Sequence, residues 1–569
     1  MSRRRFAPLT PIGRGVRALR NRARLRAKHL DTILIRLPAS MPPLPTARGG
    51  LLSRAQAMFF GAPPLSLWEL ENIFDRIAAD PRPKTVVLIL PLALTLPFAD
   101  MESLRAIIGR FRAKARRVIA WAQSYDLNAY FVASAADSIW MQPGGDLLTL
   151  GLRSEAVFFK DAFASVGVAL DVVAISPYKG AFDQFSRADF SPEGRAQLDW
   201  LLDSRYATLI DGIAASRSTT PNTIRAMIDG APHRDDAALS ARYVDALLFE
   251  DDLPGNLKVE RLTLWRDAKR RLIRPYKPRP ATDNYIAVLP VSGLMLPGES
   301  GDAPPIPIPL PFVGEDRAGD QTVVRQVRHL LDDQRAAAVV LFIDSGGGAS
   351  IAAENMGAAL DRLAADRPMI AYMNGAAASG GYDIAVSARQ IIAQRGTITG
   401  SIGVVTAKPV TGGLREKLHV HSVAVTRGAN AALFSDSAPF TDAERAQVRA
   451  LIEHGYARFI ARVAQRRHMS VAAVDAIGGG RVWTGAQAVE NGLVDQLGDL
   501  RAALAAARAA ANLPDDTPIV FVADGGKPIA PFARTPDKTL SYWLENARAL
   551  TNGATLRMMA LWLNERDRR

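Results

Sequence analysis

The sequence contains the same pattern twice, about 250 residues apart. Tyr130-Phe131-Val132-Ala133 in the first copy corresponds to Tyr382-Asp383-Ile384-Ala385 in the second, at an offset of 252 (382 − 130). Arg195-Ala196-Gln197 recurs as Arg445-Ala446-Gln447 at an offset of 250. A repeat of this length is a duplicated domain rather than a solenoid unit. The 569 residues are enough for two hydrophobic cores, so the sequence predicts two homologous domains in tandem.

Within each copy, strand and helix patterns alternate. Residues 339–343 are apolar and rich in valine, which is typical of a strand buried on both faces. Residues 352–363 have helical periodicity, and residues 369–372 form the next apolar run. Alternation of this kind predicts an α/β fold in which crossover helices connect parallel strands.

The composition divides the chain into five segments. We predict, in order, a basic N-terminal arm (1–50), an N-terminal repeat (51–270), a proline-broken linker (271–284), a C-terminal repeat (285–525) and a tail (526–569). Residues 540–563 of the tail alternate apolar and polar positions at helical spacing, so we predict a docking helix there.

The net charge of +13 is concentrated partly in the arm. Ten basic residues precede Asp31, the first acidic residue: Arg3, Arg4, Arg5, Arg14, Arg17, Arg20, Arg22, Arg24, Arg26 and Lys28. Such a block suits an anionic membrane surface, and it is equally compatible with a solvated tail. We do not expect nucleic acid as a partner, because no binding motif or run of interleaved aromatic residues accompanies the arginines.

Neither an export signal nor a spanning helix is expected from the sequence. The longest candidate span, residues 85–99, is uncharged but shorter than the ~18 apolar residues that a membrane span needs, and it contains Pro91 and Pro97. Arg3 to Arg5 are not followed by an apolar segment, as a signal peptide would require. The chain has no cysteine, which excludes disulfides, thiolate nucleophiles and cysteine-rich metal sites.

A glycine-rich loop, Asp344-Ser345-Gly346-Gly347-Gly348, directly follows the apolar run that ends at Ile343. Successive glycines allow backbone N–H groups to point at a ligand, either a phosphate or the oxyanion of an acyl-transfer intermediate. The Rossmann spacing is absent, so the loop is weak evidence for a nucleotide. The first copy has Leu92-Ala93-Leu94 at this position and has lost the loop.

Ser379 is the candidate nucleophile, because it lies at a strand-to-helix turn between small residues, with the N–H of Gly380 available as a donor. A serine nucleophile needs a base. None of the seven histidines lies in a suitable context. A buried lysine is the other solution, since desolvation favours its neutral form. Lys179 follows an apolar run in the first copy and is the candidate, although an ordinary lysine is a solvated surface group.

These residues resemble the long, duplicated members of the S49 family of Ser/Lys peptidases, of the signal peptide peptidase type. The resemblance covers roughly residues 65–510 and implies roles for individual residues. Ser379, in Ala377-Ala378-Ser379-Gly380-Gly381-Tyr382, would be the nucleophile and Lys179 the base. Ser401, in Thr399-Gly400-Ser401-Ile402-Gly403, would orient the lysine amine, and the N–H groups of Gly380 and Gly347 would form the oxyanion hole.

The resemblance also implies a ClpP/crotonase-like fold, a homo-oligomer and an endopeptidase that cleaves remnant signal peptides or other hydrophobic, membrane-derived peptides. No cofactor or metal is expected. Family members of this length carry a transmembrane anchor, whereas this chain has the arginine arm, so we expect peripheral inner-membrane association, with the cytoplasmic side or the cytoplasm also open. Two alternatives remain: a crotonase-like acyl-CoA enzyme, which needs no serine nucleophile, and a non-catalytic scaffold at a membrane surface.

Overall fold

The computed structural model describes residues 10–26, 29–45, 64–274, 283–301, 316–522 and 556–558. The chain forms two compact units, and both are discontinuous in sequence. The first unit comprises Met1–Leu152, Ala207–Ala281 and Arg566–Arg569, and the second comprises Arg153–Tyr206 and Thr282–Glu565. A segment of the N-terminal repeat therefore belongs to the same unit as the C-terminal repeat.

The strands in chain order are β1 (Thr32–Arg36), β2 (Thr85–Ile89), β3 (Arg117–Ala122), β4 (Tyr125–Asp126), β5 (Ser138–Met141), β6 (Asp146–Leu148), β7 (Ala169–Ala174), β8 (His233–Arg234), β9 (Ala246–Leu247), β10 (Thr263–Leu264), β11 (Tyr285–Ser292), β12 (Leu294–Leu296), β13 (Arg317–Gly319), β14 (Ala336–Ser345), β15 (Gly347–Ala349), β16 (Met369–Ala378), β17 (Gln390–Ala393), β18 (Ile398–Gly400), β19 (Val405–Val410), β20 (Val482–Thr484), β21 (Gln496–Leu497), β22 (Ile519–Phe521) and β23 (Leu556–Met558).

The helices are α1 (Thr10–Leu25), α2 (Leu67–Ala78), α3 (Phe98–Arg112), α4 (Leu127–Ala133), α5 (Lys160–Ser165), α6 (Asp183–Ser186), α7 (Pro192–Ser216), α8 (Pro221–Asp229), α9 (Asp235–Ser240), α10 (Leu253–Asn256), α11 (Trp265–Arg271), α12 (Asp320–Asp332), α13 (Ser350–Asp366), α14 (Gly380–Ala385), α15 (Gly412–Lys417), α16 (Asp442–Arg467), α17 (Val471–Ile477), α18 (Gly485–Glu490) and α19 (Leu500–Ala510), with a 3₁₀ turn at Glu250–Asp252.

The first unit contains a six-stranded parallel sheet in the order β10-β1-β2-β3-β5-β9. Its central strands are apolar and β-branched, which suits burial on both faces, and Val87 and Ile119 are fully buried. A capping box starts α2, where the Ser66 hydroxyl accepts from the N–H of Glu69. The basic arm is helical over α1, and Leu19, Arg20 and Arg22 on it are exposed. No helix among the described residues is long and apolar enough to cross a membrane.

The second unit is built on an eight-stranded sheet. Its main path is β20-β18-β16-β14-β11-β22; β17 also pairs with β16, and β21 pairs with β17. The pairings are parallel except for β18 with β20. The centre of this sheet is β14 and β16, whose carboxyl ends lead directly into the glycine-rich loop and into Ser379. Ligands bind at this edge in α/β sheets, because the loops there converge.

A second sheet in this unit joins the two sequence repeats, in the order β13-β12-β15-β23-β19-β7. Strand β7, from the N-terminal repeat, pairs antiparallel with β19 along six residues, from Ala169↔Val410 to Ala174↔Val405. Asp171 on β7 accepts a hydrogen bond from the N–H of Phe440 at 2.7 Å and forms an ion pair with Arg445. These contacts fix the segment that carries Lys179 against the C-terminal repeat.

The duplication is visible in the elements themselves. Strand β5 begins at Ser138 and β17 at Gln390, an offset of 252 (390 − 138). Helix α5 begins at Lys160 and α15 at Gly412, again 252 apart (412 − 160). Parallel sheets and recurring elements match the predicted α/β class. Within the predicted helical tail the structure describes only β23, which is a strand, and the rest of 526–569 lies outside the described residues.

Candidate active site

Ser379 lies at the sharp turn between β16 and α14. Its backbone has φ 55° and ψ −118°, and its N–H donates to the carbonyl of Gly400 at 2.9 Å. A positive φ is uncommon for a residue with a side chain, and it persists only where the surrounding structure enforces it. The side chain is fully buried. The turn therefore holds the hydroxyl in one defined position at the carboxyl end of the sheet.

Lys179 brings its amine to this hydroxyl from the N-terminal repeat. Its Nζ lies 3.1 Å from the Oγ of Ser379, and it donates to the carbonyl and to the Oγ of Ser401, both at 2.8 Å. The side chain is 1% exposed. Burial disfavours the charged form of a lysine, which is the form that cannot accept a proton. The structure thus brings together the candidate nucleophile and base with Ser401, which the resemblance assigned to orient the amine.

Ser401 follows β18 and is held in the same way as Ser379. It is buried, has φ 49°, and donates its N–H to the carbonyl of Arg481 at 2.6 Å. With its carbonyl and hydroxyl both accepting from Lys179, the residue fixes the direction of the amine. A neutral amine in this position has two N–H groups for Ser401 and one lone pair for the hydroxyl of Ser379.

Gly347 and Gly380, the two expected oxyanion donors, lie side by side. A Cβ built on Gly380 would lie 3.4 Å from the Cα of Gly347. The N–H of Gly380 is in the first turn of α14, where helix N–H groups have no intrahelical acceptor. The N–H of Gly347 donates to the Oγ of Ser345 at 3.1 Å, and that hydroxyl donates to the carbonyl of Gly293 at 2.6 Å. Gly347 must leave this hydrogen bond to serve an oxyanion.

Sequence reasoning missed a partly buried carboxylate that fixes the loop. Asp344 is the penultimate residue of β14, and it accepts from the N–H of Ala376 at 3.1 Å and from the Nδ2 of Asn374 at 3.2 Å. Burial raises the pKa of this carboxyl group above its usual value. The contacts connect the start of the glycine-rich loop to β16, a few residues before Ser379. The signal in the sequence was an acidic residue at the end of an otherwise apolar strand.

Sequence reasoning also missed the loop Gly478-Gly479-Gly480, which packs on the turn that carries Lys179. Gly480 has φ 89°, and a Cβ there would come within 2.6 Å of the Cβ of Lys179. Ser176, in the same turn as Lys179, donates to the carbonyl of Gly479. The three consecutive glycines are visible in the sequence, but only the fold places them beside the lysine.

Aromatic side chains also pack around the turn that carries Lys179. The ring of Trp200 stacks on that of Trp483 with centroids 5.2 Å apart and lies 5.9 Å from that of Tyr178. The guanidinium of Arg481 lies 4.1 Å from the centroid of the Tyr178 ring. The indole of Trp200 donates to the carbonyl of Val482 at 2.9 Å. Rigid rings of this kind limit the movement of the residue that precedes Lys179.

Other basic and metal-binding side chains do not converge on the site. Lys408 is buried, but its Nζ donates to the carbonyl of Leu433 at 3.3 Å and lies 4.0 Å from the Phe440 ring centroid. Asn430, near the position equivalent to Lys179 in the second repeat, is exposed. Among the described residues, no group of three or more histidine, aspartate or glutamate side chains could hold a metal ion.

The chain is similar to known peptidases over both of its repeats. The family model described as Peptidase family S49 matches residues 110–262 and again residues 361–514, together more than half of the chain. The matched family defines the chain as a peptidase. The chain belongs to peptidase family S49. The two matches and the parallel sheets confirm the predicted α/β fold with tandem homologous domains.

Full-length relatives support the same assignment. The serine protease SPPA of Arabidopsis thaliana chloroplasts is 29% identical over 482 residues, which cover 84% of this chain and 70% of the relative. Protease 4 of Haemophilus influenzae is 30% identical over 476 residues, covering 80% and 74%. Among solved structures, a membrane-bound stomatin-specific protease overlaps 42% of this chain and 99% of its own at 15% identity. Its TM-score of 0.27 is too low to carry a conclusion.

Proposed function

We propose that the chain is an endopeptidase with a Ser/Lys dyad, in which Ser379 is the nucleophile and Lys179 the general base. The observation that carries this proposal is the 3.1 Å separation of the Nζ of Lys179 and the Oγ of Ser379 in a buried site. An amine can activate a serine only when it is neutral and within hydrogen-bond reach. Burial favours the neutral form of the amine, and a separation of 3.1 Å lies within hydrogen-bond reach.

In this mechanism, neutral Lys179 accepts the hydroxyl proton of Ser379 while the Oγ attacks the scissile carbonyl. Ser401 holds the amine in line through its two acceptors. The N–H groups of Gly380 and Gly347 stabilise the negative oxygen of the tetrahedral intermediate. Lys179 then returns its proton to the leaving amine, and an acyl-enzyme remains. Water, deprotonated by Lys179, hydrolyses this ester and regenerates Ser379.

The proposed substrates are remnant signal peptides or other hydrophobic peptides derived from membranes. This substrate class follows from the resemblance of the motifs, and a relative from Enterococcus faecium, 32% identical over 250 residues, is provisionally named signal peptide peptidase SppA. The exposed basic face of α1 supports the same proposal, because arginines and leucines together favour an anionic lipid surface. We propose peripheral attachment of the chain to the inner membrane through this arm.

We also propose a homo-oligomer, on the basis of two unpaired segments in the second unit. Strand β7 corresponds to residues 421–426 of the second repeat (169 + 252 = 421), and β19 corresponds to residues 153–158 of the first (405 − 252 = 153). Neither of these counterparts forms a strand, and Val423 and Val425 are 91% and 84% exposed. Residues 421–426 of one subunit can pair with 153–158 of the next, as β7 pairs with β19. The contact is heterologous, so it repeats from subunit to subunit.

The test of the dyad is Ser379→Ala, measured by peptide hydrolysis and by labelling with a fluorophosphonate, which reacts only with a nucleophilic serine. We expect hydrolysis to fall by about 10⁴-fold or more and labelling to disappear. Ser437→Ala is the matched control, because Ser437 is an exposed serine in a loop of the same unit. Retention of more than about a tenth of the activity in Ser379→Ala would remove Ser379 as the nucleophile.

A further inference from the structure

The two repeats differ at one buried position of the second unit. Lys408 on β19 is 3% exposed. Its Nζ donates to the carbonyl of Leu433 at 3.3 Å and lies 4.0 Å from the centroid of the Phe440 ring. The equivalent position in the first repeat is Ala156 (408 − 252 = 156), whose methyl group cannot fill the space that the lysine occupies.

The first repeat keeps the surroundings of the missing lysine. Phe190 corresponds to Phe440 at the same offset of 250 that relates Arg195 to Arg445 (440 − 250 = 190). The guanidinium of Arg195 lies 5.9 Å from the centroid of the Phe190 ring. In the second repeat, Arg445 lies 6.0 Å from the centroid of the Phe440 ring. The aromatic ring and its arginine are therefore arranged alike in both repeats, and only the lysine differs.

In the first repeat a cavity lies at this position, and Ala156, Phe158, Asp183 and Phe190 are among the residues that line it. The empty space is about 330 Å³ including solvent at its mouth, and about 20 Å³ of it admits the centre of a water-sized sphere. One water needs roughly 10–15 Å³ by this measure, and an ammonium group has a similar size. The ring of Phe158 packs edge-on against that of Phe190 with centroids 5.2 Å apart, which fixes the aromatic wall.

The cavity also contains a carboxylate. A Cβ built on Gly194 would lie 4.0 Å from the Oδ2 of Asp183 and 4.0 Å from the Cδ1 of Phe190, so the carboxylate and the ring border the same space. The side chain of Asp183 forms no hydrogen bond or ion pair with another described residue. Burial raises the pKa of Asp183 in spite of the charge of Arg187, because the carboxylate has lost water without gaining a close partner.

The second repeat supplies its carboxylate from a different position. Glu444 is equivalent to Gly194 (444 − 250 = 194). Hydrogen bonds from Thr441 and the charge of Lys408 lower the pKa of Glu444. Each repeat thus combines an aromatic ring with a carboxylate, which is Asp183 in the first. The first repeat alone lacks the cation.

We propose that the cavity beside Asp183 binds a primary alkylammonium group, either the lysine side chain of a peptide or a free alkylamine. An ammonium group forms charge-assisted hydrogen bonds with a carboxylate, and the face of an aromatic ring attracts it further. The bound group takes the place that Lys408 fills in the second repeat. The site is independent of the proposed peptidase function, because neither the hydroxyl of Ser379 nor the amine of Lys179 takes part in it.

The proposal is tested by saturation-transfer NMR titrations of the full-length protein with Nα-acetyl-lysine methylamide and with n-butylammonium. Ser379→Ala is the parent protein, so that neither compound is hydrolysed. Ala156→Lys restores the lysine of the second repeat and should fill the cavity, while Asp183→Asn removes the charge. Each should weaken binding by at least about tenfold. Ala164→Lys and Asp161→Asn, at exposed positions of α5, are the matched controls and should bind as the parent does.

Equal dissociation constants for Ala156→Lys and Ala164→Lys would overturn the proposal, as would absence of binding of both compounds to the parent protein. The Nε-acetylated form of the lysine compound carries no charge, and binding of that form as tight as that of the charged one would also overturn it. Tighter binding of the lysine compound assigns the site to peptides, and tighter or equal binding of n-butylammonium assigns it to alkylamines in general. Failure of the peptidase function leaves each of these results unchanged.

Discussion

The backbone of Lys179 occupies the space where a side chain at Gly480 would lie. A Cβ on Gly480 would come 2.6 Å from the Cβ, 2.7 Å from the Cα and 2.8 Å from the N of Lys179. Such distances are well below van der Waals contact, and the atoms concerned cannot rotate away. The position of the proposed base is therefore set by a residue about 300 positions further along the chain that has no functional group of its own (480 − 179 = 301).

Gly480→Ala should lower kcat by about 100-fold, because displacement of a catalytic group by about 1 Å has an effect of that size. Overpacking costs about 1–3 kcal/mol, so the melting temperature should fall as well. Gly428→Ala is the matched control: Gly428 also has a positive φ (94°), but a Cβ there would contact nothing within 4 Å. Steady-state kinetics and thermal unfolding on both variants check this prediction. Equal kcat values in the two variants would contradict it.

Lys179→Ala should be as inactive as Ser379→Ala, and Lys179→Arg should not restore activity, because arginine stays protonated and cannot accept the serine proton. The Nζ of Lys179 meets Ser379 within one chain, so mixing Lys179→Ala subunits with Ser379→Ala subunits should also yield no activity. Peptide hydrolysis by the mixture is the measurement. Recovery of activity on mixing would show that the site closes between subunits instead.

Val425→Asp should weaken the proposed contact between subunits. The residue equivalent to Val425 in β7 is Val173, which is 4% exposed in the core of the second unit, whereas Val425 itself is 84% exposed (425 − 252 = 173). A carboxylate at a position that becomes buried between subunits is costly to desolvate. Light scattering coupled to size exclusion should show a smaller assembly. Val471→Asp, at another exposed valine, should leave the assembly unchanged, and a loss of assembly in both variants would point to general destabilisation.

The basic arm should bind anionic vesicles, and the binding should weaken as salt increases. Each basic residue near the surface contributes about 1 kcal/mol, screened over about 8 Å at physiological salt. Cosedimentation with phosphatidylserine vesicles between low and high salt measures this dependence, with phosphatidylcholine vesicles as the control. Replacing Arg20, Arg22 and Arg24 by glutamine should reduce binding at low salt. Salt-independent binding, or binding that needs detergent for release, would point to a hydrophobic anchor instead.

The residues of the proposed dyad could be singled out from the sequence because their motifs are local. Ser379 lies among small residues after an apolar strand, and the resemblance to S49 peptidases extends to Lys179 and Ser401. Their support could not be predicted, since it depends on distant parts of the chain. Gly480 and Trp200 carry no chemical signature in the sequence, and only the fold brings them to the lysine turn.

The α/β fold class could be predicted from the alternating strand and helix patterns, but two features of the fold could not. Residues 153–206 belong to the first repeat by sequence, and yet they pack in the second compact unit through β7 and β19. A sequence pattern assigns a segment to the repeat that surrounds it in the chain. It carries no information about packing of that segment with the other repeat. Leu556–Met558 lie within a stretch with helical periodicity but form a strand, because pairing partners on both sides outweigh a local preference.

The separation of Lys179 and Ser379 along the chain has a consequence for biosynthesis. Ribosomes add about 5–20 residues per second, so Gly480 follows Lys179 by roughly 15–60 s. During that interval the segment with Lys179 has been made. The parts of the chain that pack around it, namely β19, the turn that carries Ser379 and the loop Gly478-Gly479-Gly480, are still incomplete. If Ser379 and Lys179 form the proposed dyad, a nascent chain on the ribosome lacks a complete site for hydrolysis. With the proposed dyad divided this way, the site becomes complete only when synthesis of the chain is nearly finished.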